Sequence, residues 1–201
     1  MFVQIIQGRV ADRDGLRGRL DLWVSELSGA AAGWLGSTGG VTADGTGIAL
    51  ARFESEQAAR RNSDRPEQGR WWADTEKLFT GDVMFHDSTD VTLLHGGGSD
   101  RAGFVQVIQG RVSDVDRARA LMSGMEEPLR QLRPDVIGGE MCWHGDDRFT
   151  QAMYFTSAAA AREGEGRQPS AEVLATLREY QSLSRDVVYH DLTDPWLHSP
   201  A

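Results

Sequence analysis

Cysteine is almost missing from this chain: Cys142 is the only one among 201 residues. No intramolecular disulfide can form, and a reducing, cytoplasmic setting is expected. Basic charge is also short, with 21 Lys and Arg against 30 Asp and Glu and a net charge of −9. A nucleic-acid partner needs a basic footprint to displace counterions, and the arginines here are scattered. Nucleic acid and anionic membrane surfaces are therefore excluded as expected partners. No apolar run approaches the roughly 18 residues of a membrane span. The opening MFVQIIQGRV lacks the basic, apolar and small-residue regions of a secretion signal.

What the chain does have is a repeat. FVQIIQGRV begins at Phe2 and FVQVIQGRV at Phe104, an offset of 102. At that offset Asp12 lies over Asp114, Leu27 over Leu129, Gly36 over Gly138, Phe53 over Phe155, and Ala58-Ala59-Arg60 over Ala160-Ala161-Arg162. The register then slips by two, and FHDSTD (85–90) answers YHDLTD (189–194). The pattern is that of a tandem duplication with a first repeat over 1–95, a Gly-rich join GGGSDRAG over 96–103, and a second repeat over 104–201.

Each repeat reads β-α-β-β-α-β. The first strand (2–10, 104–112) leads through Asp-rich capping positions into a helix. Leu16, Leu20, Trp23 and Leu27 carry its apolar line in one copy, and Ala118, Met122, Met125 and Leu129 in the other, at helical spacing. Strands about 33–42 and 46–53 are joined by ADG, and strands about 135–144 and 147–155 by GDD. A second helix begins near Ser55 or Ser157, and a last strand carries VMFHD or VVYHD. This order is the split, ferredoxin-like unit. Neither face of strand one is clearly polar, although a sheet covered on one side only should show a polar face. The expected fold is α+β, two ferredoxin-like repeats whose antiparallel sheets form a pseudo-dimeric α/β barrel. Such a chain is a monomeric pseudo-dimer or a further homodimer.

The β-α-β-β-α-β order, ALARFES (49–55) and the matching YFTSAAAA (154–161) resemble the antibiotic-biosynthesis-monooxygenase-like domains of the dimeric α/β-barrel superfamily. The resemblance implies a pocket between sheet and helices in each half. It also implies a range of activities that includes cofactor-free oxygenation of polycyclic phenols. Haem-degrading members place an iron-ligating His on the second helix, and neither second helix here contains a His. With no dinucleotide fingerprint and no clustered ligands, no haem, flavin or metal is expected.

The candidate site follows from the second helix of the first repeat. Ser55, Ala58, Ala59, Asn62, Pro66 and Gly69 form a line expected to face the sheet, and an amide there needs a partner. The resemblance implies that Asn, Trp and Arg side chains hold an aromatic substrate and stabilise its enolate. Asn62, Trp71, Trp72, Arg52 and Arg65 supply those types. Asn62 and Arg52 are then the enolate stabilisers and His86 the proton acceptor, with Gln4, Trp71, Trp72 and Arg65 as ligand contacts. Each has a structural counter-reading: a satisfied core amide for Asn62, core packing for the tryptophans, and a turn motif for HDxTD. Gln4 and Gln7 recur as Gln106 and Gln109, which favours structural bonding. Cys142 reads as a buried strand cysteine, and GSTGG (36–40) as a glycine-rich strand end. Because Gly164 stands opposite Asn62 in the repeat, chemistry through that position is expected in the first half. The sequence thus points to a cofactor-independent monooxygenase-like enzyme for a small aromatic or polyketide-like molecule. The alternative is a non-catalytic small-molecule binding or structural protein of the same fold.

Overall fold

The computed structural model describes residues 1–200 and divides into two compact units. One comprises Met1–Val91 with the chain from Asp194 onward, the other Thr92–Thr193.

The first unit runs β1 (Phe2–Val10), α1 (Arg13–Leu22), β2 (Trp34–Val41), β3 (Thr46–Phe53), α2 (Glu56–Ser63), α3 (Pro66–Thr75) and β4 (Phe79–Ser88). β5 (Asp90–Leu94) follows. The second unit repeats the order as β6 (Phe104–Val112), α4 (Val115–Ser123), α5 (Glu126–Leu132), β7 (Val136–His144), β8 (Arg148–Phe155), α6 (Ala158–Glu165), α7 (Ala171–Leu183) and β9 (Ser184–Leu192). A short β10 (Trp196–His198) ends the chain. The fold is α+β, as expected, with two antiparallel five-stranded sheets.

Two strands were not legible in the sequence, β5 and β10, and they exchange places. The sheet orders are β10-β2-β3-β1-β4 and β5-β7-β8-β6-β9. The last strand of the chain therefore returns to the first sheet, pairing Trp196 with Gly39 and His198 with Ser37. The compact units accordingly differ from the sequence repeats at their ends. Each sheet is open, with β10 and β4 as the edges of one and β5 and β9 as the edges of the other.

Local chemistry explains the element boundaries. Asp12 and Asp114 cap α1 and α4 by accepting from Gly15 and Arg117 N–H, and Ser55 and Ser157 cap α2 and α6 in the same way. The expected sheet-facing line from Ser55 to Gly69 stops at Asn62. Ala58, Ala59 and Asn62 are buried, but Pro66 and Gly69 are exposed. The cause is Pro66, which occupies the first turn of a separate helix and redirects the chain. A similar break falls at Gly124 and Met125, splitting the expected helix of the second repeat into α4 and α5.

Along β1 both faces of the first sheet are buried. Phe2 packs with Trp23, Ala58 and Trp71, so Phe2, Gln4 and Ile6 lie on the helix side. Val3, Ile5 and, by register, Leu50 lie on the other side and are fully buried too. Cys142 is a buried strand residue. Among the described residues no helix is long and apolar enough to cross a membrane.

Candidate functional site

The helix layer of the first unit is built around indoles. Trp23 meets Trp34 edge-on at 5.0 Å and Trp71 at 6.5 Å. Trp23 and Trp71 have their polar edges matched. Trp23 Nε1 donates to Gln68 Oε1 at 2.6 Å, and Trp71 Nε1 donates to the Arg19 carbonyl at 2.8 Å. Arg19 returns a bond from Nη2 to the Trp71 carbonyl at 2.9 Å. Trp71 is therefore a core residue. Trp72 is half-buried and stands edge-on to Phe85 at 5.2 Å.

Asn62 is buried on α2, and its Oδ1 accepts from Arg65 Nη1 at 2.9 Å. The same guanidinium nitrogen donates to the Leu27 carbonyl at 3.2 Å. The expected partnership of Asn62 is thus found, and the partner is Arg65 rather than a strand glutamine. In the second unit Gly164 leaves this corner without a side chain of its own. Arg133 and Asp135 occupy the space instead, within 2.5–2.7 Å of where a Cβ on Gly164 would stand. They form an ion pair at 2.8 Å, and Arg133 also donates to the Ala161 carbonyl.

The structure does not bring the whole expected set together. Arg52 is opposite Val3 and His86 opposite Ile5, so both lie on the sheet face turned away from Asn62, Trp71 and Trp72. Arg52 is 6% exposed and donates to Thr38 Oγ1 at 3.0 Å. In the second unit the matching pair is Tyr154 and Glu140, joined at 2.9 Å. Gln4 is on the helix side but donates to Asp87 Oδ1 at 3.0 Å, and Gln106 repeats this with Asp191 at 2.9 Å. The Asp of HDxTD therefore accepts from a neighbouring strand's amide in both units. That cross-strand pair fits the structural reading of the repeated glutamines.

The cavity between helices and sheet in the first unit is lined by Trp71, Trp72, Phe79, Ile6 and Trp196, but not by Asn62. Its volume is about 40 Å³. Small-molecule sites usually offer roughly 300–1,000 Å³. This cavity does not reach Asn62; Trp23, Trp34 and Trp71 pack into the layer beside that residue. Gln68, Arg19 and Trp23 belong to this corner and were not singled out from sequence, although Trp23 stood on the predicted apolar line.

Titration adds one feature, in the second unit. Tyr180 on α7 packs against Phe149, and burial pushes its phenol up to about 12. The unfolded chain releases this proton near its ordinary value of 10. The resulting contribution to stability is fully present below pH 10 and is lost as pH rises towards 12. Denaturant melts between pH 9 and 12 are expected to show this loss in the wild type and a smaller one in Tyr180→Phe. Identical curves would contradict the assignment.

No family model matches the sequence, and no curated protein matches it. Solved structures do match its fold. A "putative monooxygenase" from Fusobacterium nucleatum aligns over 100% of this chain and 94% of its own, with a TM-score of 0.78 at 7% identity. Another from Lactobacillus acidophilus aligns over 98% and 99%, with a TM-score of 0.74 at 11% identity. An anthrone oxidase-like protein covers 98% of this chain and 93% of its own, with a TM-score of 0.61 at 10% identity. At these identities the likeness establishes the fold. It does so over the full described chain.

Proposed function

We propose that this chain, which shares its fold over its whole length with proteins described as "putative monooxygenase", is a monooxygenase-like small-molecule enzyme. It works without a cofactor on a small aromatic or polyketide-like compound. The observation that carries the reading is the Asn62–Arg65 pair, a guanidinium and an amide held 2.9 Å apart beside the tryptophan cluster. Together they can stabilise the enolate of an anthrone-type substrate. The balanced reaction then takes one O₂ per ring CH₂ and returns one carbonyl and one water, so O₂ is the sole oxidant. Arg52 and His86 stand on the far sheet face and take no part at this corner.

A second reading has its own support. Both units place a guanidinium and an acceptor at the same corner, Arg65–Asn62 in one and Arg133–Asp135 in the other, from different sequence positions. A brace built twice is the mark of a structural element, and the fold then serves a non-catalytic binding protein.

Oxygen-electrode assays with a panel of quinols and anthrones separate the two. The enzyme reading expects uptake by the wild type and a loss of about tenfold in Asn62→Ala, with the fold intact. Tight retention of a panel compound without oxygen uptake would establish the binding reading instead. For the brace, Asn62→Ala should lower stability by roughly 1–3 kcal/mol through the stranded Arg65 and leave ligand affinity alone.

A further inference from the structure

A groove of about 630 Å³ lies in the second unit among α4, α5 and α7. No strand residue lines it, so it is separate from any space between helices and sheet. The duplication explains why it exists. Through the first helical region the repeats keep their offset of 102, which sets Met125 in the place of Trp23 and Leu121 in the place of Arg19. Through the last helix the offset is 105. Pro66 and Ala171 both open that helix, and the Leu78 and Leu183 carbonyls both accept from the N–H after β1 or β6, at Ala11 and Ser113. This sets Val173 in the place of Gln68 and Thr176 in the place of Trp71.

Those four first-unit residues form the bonded plug already described: Trp23 to Gln68 and Trp71 to Arg19. Their four second-unit counterparts all line the groove. Two indoles, a guanidinium and an amide have given way to Met, Thr, Leu and Val. The helix layer has not collapsed onto the space. α7 has no buried residue, and neither has α5. The gap is bounded by buried Met125 and half-buried Leu121, Leu132, Val173 and Thr176, with exposed polar groups at its rim, and a space shaped by a scaffold for indoles suits a flat aromatic body. The ionisable side chains on its lining are Glu127, paired with Arg130 at 3.6 Å, and Glu172, so the lining itself offers an anion no cation.

We infer that the second unit binds a fused-ring aromatic that carries no negative charge, in the groove vacated at Met125 and Thr176. This stands apart from the oxygenase reading, since it concerns binding only and no turnover enters its test.

The probe is 9-aminoacridine, a fluorescent aromatic cation, titrated by fluorescence against 9-anthracenecarboxylate as the anion of matching shape. The wild type is expected to bind the cation saturably at one site and the anion at least tenfold more weakly. Thr176→Trp, which restores one indole, should weaken cation binding at least tenfold. Glu127→Gln with Glu172→Gln should weaken it about fivefold, and the same charge change at the first-unit surface residues Glu56 and Glu67 should not. The Glu127 and Glu172 variants alter only exposed side chains, so they report even if Thr176→Trp folds poorly. Equal binding of the anion, or affinity unchanged in both the Trp and the double-Gln variants, would overturn the inference.

Discussion

Trp71→Ala is expected to lower the stability of the protein by about 3–5 kcal/mol, the range for truncating a core tryptophan. Trp71 is 8% exposed and sits among Trp23, Ala58 and Phe53. Its loss also removes one of the two bonds at the Arg19 carbonyl, which keeps the Trp23 N–H, and leaves the Arg19 side chain without its ring contact at 6.0 Å. The neighbours that could fill the space are held elsewhere, because Trp23 is tied to Gln68. For a chain of this length the melting temperature should fall on the order of 10 °C. Thr176→Ala, at the equivalent place in the second unit, should change it by no more than about 2 °C, because that side chain borders open space. Equal effects at the two positions would refute the contrast between the halves.

The second large effect is expected from ending the chain at Thr193. This removes β10, with Trp196 3% exposed at its start, and uncovers the β2 backbone from Ser37 to Gly39. Asp194 goes too, and with it ion pairs to Arg13 at 3.0 Å and Arg17 at 2.9 Å. Those pairs are about half-exposed and are worth less than roughly 1 kcal/mol each. Burial dominates, and the truncated protein should lose about 3 kcal/mol or more and aggregate through the exposed β2 edge. Asp194→Ala alone should lose under roughly 1 kcal/mol. Trp196 differs from Trp71 in one respect, since its indole N–H is buried without a hydrogen-bond partner. Trp196→Phe should therefore be close to neutral. Melting curves of the three variants decide the ranking, and a full-length Asp194→Ala as unstable as the truncation would reverse it.

The repeat made most of the fold legible. Strands 2–10, 46–53 and 104–112 and the Ser55 and Ser157 caps stand where the pattern put them, because each carries local chemistry that no tertiary contact overrides. β5 and β10 were hidden because each is short and makes its pairing far along the chain. DVTLL and WLH carry no period long enough to detect. The site was legible in part. Asn62 was placed as a buried amide from helical spacing alone, and it is one. Arg52 and His86 were grouped with it because residue type says nothing about sheet face until the register against β1 is known. The difference between the helix layers was present in the sequence as Trp23 against Met125. Its partner, Trp71 against Thr176, needed the offset to change from 102 to 105, and that change is fixed only by where α3 and α7 begin.

The sealed first half and the open second half are best tested by the melting temperature of the double variant Met125→Trp, Thr176→Trp. Indoles forced into a filled core cost about 1–3 kcal/mol or more each through overpacking. Indoles entering a groove of about 630 Å³ that the repeat already frames for them should leave stability unchanged or raise it. A melting temperature equal to or above that of the wild type is the predicted result. A fall of about 10 °C would contradict the account.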